Sequence, residues 1–216
     1  MMKKEVLKST LVPIIALILC AAIYLSGYFL ILFVVPLAIL ASWIEYGKKT
    51  FSSLGFQRSR LKARDLLVVA PLIAGGMFLV YLFVLIPGVT YLTGQPMDFS
   101  AFEAYEGDLG AVLTLFAFIW ISAAFGEEIF FRGYLMRQFI KFFGDGRVSI
   151  VLNIVLFGVI FGWIHSYQGI SGQIVTGIVG IILATIFHLR KYDLWFNIAL
   201  HGFFDTIALV LIYQGV

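Results

Sequence analysis

The sequence predicts an all-α, polytopic transmembrane helical bundle of about seven helices, and three observations carry that prediction. The 216 residues are 62% hydrophobic and only 12% charged, with a mean hydropathy of +1.02. That leaves too little polar material to cover a soluble domain. Apolar runs of about 20 residues, long enough to cross a bilayer as a helix, recur along the chain. Strand-type alternation is absent, which argues against a β-barrel.

The segments fall at 9–25, 28–46, 65–92, 109–140, 148–165, 170–189 and 193–214, with Ser26-Gly27 as the turn inside the first long run. The first segment follows Lys3, Lys4 and Lys8 and so has the look of a signal peptide. The apolar run continues to Ile44 with no small-residue cleavage site, so it is read as a helix. Of the 15 basic residues, all but Arg132 fall at residues 3–8, 48–64, 137–147 and 190–191. The loop at 93–108 has none and carries Asp98, Glu103, Glu106 and Asp108. This positive-inside pattern predicts a multi-pass protein of the cell membrane with a cytoplasmic N-terminus, and it favours an odd number of helices.

Residues 51–64, "FSSLGFQRSRLKAR", mix Phe51, Leu54, Phe56 and Leu61 with basic side chains. They read either as a short helix lying on the cytoplasmic leaflet or as a solvated basic loop. The single cysteine, Cys20, excludes an intramolecular disulfide and argues against thiol catalysis. No internal repeat or second domain is visible. One integral membrane domain over 1–216 is expected, with N-terminal helices in 1–92. Membrane lipid is the expected surrounding, and no nucleic-acid partner is expected.

The fourth segment contains "GEEIFFRG", which places Glu127, Glu128 and Arg132 inside an apolar helix. A charged residue at mid-helix costs about 2.5–3.5 kcal/mol, so three cost roughly 7–10 kcal/mol, against perhaps 3–7 kcal/mol returned by the apolar residues. Such a helix needs neighbours that accept its polar face. Glu128 and Arg132, at i,i+4, can pair on one face. Glu127, about 100° away, is left without a local partner. "FGWIH" places His165 at the end of the fifth helix, and "HGFFD" places His201 and Asp205 at i,i+4 in the seventh. His188, beside Arg190 and Lys191, reads as interfacial. Depth counted at about 1.5 Å per residue puts Glu127, His165, His201 and Asp205 between mid-membrane and the cytoplasmic half, so one shared cavity is feasible.

Intramembrane ionisable residues are functional candidates by default, although a Glu–Arg pair can also simply join helices. Two chemistries fit the set. In one, Glu127 and His165 activate a water while His201 and Asp205 stabilise the oxyanion. In the other, zinc is held by ligands drawn from Glu127, His165, His201 and Asp205, with water in the open position. Composition does not choose between them. There is no H-E-x-x-H, no rhomboid-like Gly-x-Ser-Gly and no pair of intramembrane aspartates.

The ordered set GEEIFFRG, FGWIH and HGFFD resembles the EExxxR, FxxxH and HxxxN/D motifs of the CPBP family, the CAAX prenyl proteases and bacteriocin-processing enzymes also called Abi. The resemblance covers about residues 109–210, the expected catalytic core. It implies an intramembrane endopeptidase acting on a membrane-associated peptide or protein, reached from the cytoplasmic side or laterally. By that resemblance Glu127 acts with His165 to activate water, His201 and Asp205 line the same cavity, and Glu128 and Arg132 support it. The family has been described both as zinc and as glutamate proteases. The glutamate type is favoured here, with no cofactor. Prenyl-protein peptidases usually carry Asn at the Asp205 position. Asn donates a hydrogen bond to an oxyanion and ionised Asp does not, so peptide cleavage is implied more firmly than prenyl-CAAX activity. The rival reading from another class is a non-catalytic membrane scaffold or bacteriocin self-immunity protein. A proton-coupled transporter is weaker, because its polar groups should line a path across the membrane.

Overall fold

The computed structural model describes residues 2–26 and 31–215, with side chains from residue 9 onward, and the described residues contain no strand. Seven helices organise it: α1 (Met2–Leu25), α2 (Ile31–Tyr46), α3 (Asp65–Thr93), α4 (Leu109–Phe143), α5 (Arg147–Trp163), α6 (Gly169–Leu189) and α7 (Leu194–Gln214). Five helical stretches are long and apolar enough to cross a membrane, while Ser9–Leu25 and Arg147–Trp163 are shorter apolar helices. Ser26 is in a turn as expected; Gly27, and the first residues of the expected second segment, lie outside the described residues.

The ends of these helices follow local rules. Asp108 accepts a hydrogen bond from the Ala111 N–H to cap α4, and Asp193 accepts one from the Phe196 N–H to cap α7. Gly94, at φ +68°, closes α3 in the left-handed conformation that glycine adopts without a steric penalty. α3 and α4 are not α-helical throughout. Asp65–Val69, Tyr81–Leu85 and Ile119–Leu135 are π-helical, and the last of these carries the whole GEEIFFRG motif. Bonding from i to i+5 widens the helix and lowers the rotation between neighbours below the roughly 100° of an α-helix.

α4 and α7 form the centre. α2 packs on the π-helical part of α4, and α3 packs along α7. One apolar core joins Val34, Ala38, Phe131, Phe161, Phe187 and Leu194; another joins Ala70, Ala74, Phe78, Leu183, Leu200 and Phe204. α5 and α6 approach closely through glycines: a Cβ at Gly162 would lie 2.9 Å from Gly177 Cα. This is the small-residue packing that membrane helices use in place of a hydrophobic driving force. Outward-facing Leu67, Leu72, Val148 and Trp163 present an apolar surface to lipid.

The two ends of the bundle differ in charge. At one end Lys141 bonds Glu45 at 2.5 Å, Arg190 bonds Asp65 at 2.5 Å, and Arg60 bonds the Arg190 carbonyl. At the other end the acidic loop meets the turn after α5 and the end of α7: Asp98 N–H donates to Gln168 O, and Gly107 N–H to Tyr213 O, each at 3.0 Å. Residues 47–64, which include the 51–64 expected as a short helix or a solvated basic loop, hold one short α-helical turn, Thr50–Ser53, and two 3-10 turns, Gly47–Lys49 and Arg58–Arg60. Leu54 is buried, and the Leu194 N–H donates to Gly55 O at 3.3 Å, so the segment docks on the turn before α7.

Candidate active site

The middle of α4 sends two neighbouring carboxylates to different places. Glu128 is fully buried. Its Oε1 lies 3.0 Å from Arg132 Nη1 and 2.9 Å from His201 Nδ1, and its Oε2 accepts from Asn197 Nδ2 at 3.1 Å. Arg132 donates from Nη2 to Gly180 O at 3.0 Å, and its guanidinium stacks 4.7 Å from the Phe161 ring centroid. Asn197 also donates to Leu183 O at 3.0 Å. This buried network joins α4, α5, α6 and α7, and its charges are paired and hydrogen-bonded, as burial demands.

Glu127 has a different environment. Its Oε2 is shielded from solvent and has no hydrogen-bond partner among the described residues. The side chain faces a cavity of about 270 Å³, whose walls also include His165, His201, Asp205, Tyr81 and Tyr167. Glu128 and Arg132 do not line it. His165 has Nδ1 2.7 Å from Phe161 O. A carbonyl only accepts, so Nδ1 carries the proton and Nε2 is left as an acceptor. His201 sits between two carboxylates, with Nδ1 on Glu128 and Nε2 3.3 Å from Asp205 Oδ2. To donate from both nitrogens the ring must carry both protons. His188 lies apart, with Nδ1 3.2 Å from Tyr192 Oη near the basic end.

The depth expectation is corrected. The cavity runs from Glu127 away from the basic end, and its far walls are Met97, Phe99 and Phe102 of the acidic loop. The reason is geometric. α5 starts at the basic end, and His165 follows it 18 residues after Arg147. At about 1.5 Å per residue this passes the midplane of a core about 30 Å thick.

Residues 109–207 match the family model described as type II CAAX prenyl endopeptidase Rce1-like. The match makes this segment similar to that family. The match agrees with the CPBP resemblance read from the three motifs, and at family level it indicates a CAAX-type intramembrane protease, hence a multi-pass membrane protein. No curated protein and no solved structure matches the chain significantly. The matched segment contains Glu127, Glu128, Arg132, His165, His201 and Asp205, while α1, α2 and α3 lie outside it.

Sequence reasoning missed Asn197. It precedes His201 by four residues and Asp205 by eight, so the three share one face of an otherwise apolar helix. That spacing was the available signal. Zinc fits the arrangement poorly. Among the described residues no three His, Cys, Asp or Glu side chains group to hold a metal ion. His201 has both ring nitrogens against carboxylates, and His165 has one nitrogen to offer.

Proposed function

We propose that the chain is an intramembrane endopeptidase of the glutamate type that cleaves a membrane-associated peptide with a water activated by Glu127. The observation that carries this reading is the unpartnered, buried Oε2 of Glu127 on a cavity shared with two imidazoles. A carboxylate kept from solvent and from cations of its own helix is free to accept a proton. Glu127, with His165 Nε2 as the second acceptor, orients the water. The water oxygen bonds to the scissile carbonyl carbon while its proton passes to Glu127. His201, held between Glu128 and Asp205 with both ring nitrogens engaged, stabilises the developing oxyanion through the charge of its ring rather than through a free N–H. When the C–N bond breaks, Glu127 returns the proton to the leaving amine.

Positive-inside placement puts the basic end and the N-terminus in the cytoplasm. The cavity then extends towards the outer face, so the substrate enters from that side or from the outer leaflet. Of the two routes expected from the sequence, cytoplasmic or lateral, this keeps the lateral one. Substrate trapping with Glu127→Gln, followed by mass spectrometry of co-purifying peptides, tests the reading. A peptide held by the variant and cut by the wild type is expected. A wild type that cleaves none of the trapped peptides would leave a binding scaffold.

A further inference from the structure

At the basic end lies a second cavity of about 310 Å³ between the ends of α2 and α4, sharing no lining residue with the cavity just described. Tyr46, Ser53, Tyr134, Arg137, Lys141 and Tyr192 are among its walls. We infer that this cavity is a binding site for a phosphate group, supplied by the headgroup of an anionic lipid. It is independent of the protease reading.

Three observations carry it. Arg137 is partly buried, lies 5.0 Å over the Tyr192 ring, and has no carboxylate partner among the described residues. Its neighbour Lys141 is neutralised by Glu45, which also accepts from Gln138 Nε2 at 2.8 Å. The guanidinium charge is therefore the uncompensated one. Tyr134 is 1% exposed, yet its hydroxyl has no hydrogen-bond partner among the described residues. A buried hydroxyl without a partner is costly unless a ligand completes it. Gln138 Oε1 is likewise buried and has no partner among the described residues. As an acceptor it suits a hydroxyl on the substituent next to the phosphate, as in a glycerol headgroup. An arginine fork and a phenol together match the planar, multi-point recognition of a phosphate. The position favours lipid over a soluble ion. The cavity lies between helix ends at the basic face, where headgroup phosphates sit and where basic pockets between transmembrane helices take anionic lipids.

The test measures binding of short-chain phosphatidylglycerol, short-chain phosphatidylcholine and glycerol phosphate to the full chain in detergent. It compares wild type with Arg137→Gln, Tyr134→Phe and, as a control for general surface charge, Arg64→Gln. Phosphatidylglycerol should bind most tightly. Arg137→Gln should weaken it by about 10–100-fold, the loss expected for a charged hydrogen bond, and Tyr134→Phe by about 3–10-fold. Arg64→Gln should stay within about two-fold, as exposed charges do. Equal, Arg137-dependent binding of glycerol phosphate would keep the phosphate site and make its source soluble. If no ligand responds more to Arg137→Gln than to Arg64→Gln, the inference is overturned. Should Arg137→Gln fail to fold, Tyr134→Phe decides: reduced affinity supports the site and unchanged affinity overturns it.

Discussion

Glu128 places its oxygens on Arg132, His201 and Asn197, whereas Glu127 Oε2 meets no partner among the described residues. Removing either kind of group should therefore have opposite consequences. Arg132→Leu leaves Glu128 buried without its cation and should lower stability by about 3–5 kcal/mol. Glu127→Gln keeps shape and removes only a charge that nothing pairs. Unfolding of the two variants in detergent checks this, and equal stabilities would contradict the pairing. Asp205 separates the two chemistries. In the glutamate mechanism it accepts from His201 Nε2, and an amide oxygen also accepts, so Asp205→Asn should keep or raise activity. If Asp205 positioned zinc, activity should fall by about 10–100-fold and recover with added metal. Peptidase assays with and without zinc distinguish these outcomes. The i,i+4 pairing of Glu128 with Arg132 was legible in sequence because both residues sit on one helix. The third partner, His201, was not, because contact across helices depends on rotation that no local spacing encodes.

The long apolar runs revealed the helices themselves, since hydropathy and length decide spanning segments almost alone. Their winding was hidden. Nothing local in Ile119–Leu135 announces i→i+5 bonding, which arises where tertiary contacts, here with α2 and α7, override propensity. The reading of 51–64 left out one point. Basic residues concealed that Leu54 is a core residue, and burial is a property of the neighbour it meets. The close approach of α5 and α6 gives an element-scale test. Gly162→Val adds atoms where α6 backbone already stands, and overpacking of this kind costs about 1–3 kcal/mol. Gly88→Ala, in α3 with open space around it, should be neutral or stabilising by about 0.5–1 kcal/mol. Thermal unfolding of both variants measures the contrast.

Across the whole molecule, charge asymmetry in the sequence becomes asymmetry in space. Lys141, Arg60 and Arg190 tie one end together, and Asp98 and Glu106 lie at the other. Which half held the site was misread, because counting residues from the basic ends gives depth but not the direction in which a cavity extends. Cysteines placed at the exposed Ser59 and Ser100 in a Cys20→Ala background test the orientation. An impermeant reagent should label residue 100 and spare residue 59 in intact cells. The reverse pattern would put the cavity on the cytoplasmic side.

The central claim is that adjacent glutamates serve chemistry and structure separately. It is tested most directly by measuring peptide turnover and unfolding together for Glu127→Gln and Glu128→Gln. The account predicts that Glu127→Gln abolishes turnover with stability within about 1 kcal/mol of wild type, because it breaks no pairing. Glu128→Gln should lose about 3–5 kcal/mol, because Arg132 and His201 lose their shared carboxylate. Wild-type turnover by Glu127→Gln, or equal destabilisation of the two variants, would contradict it.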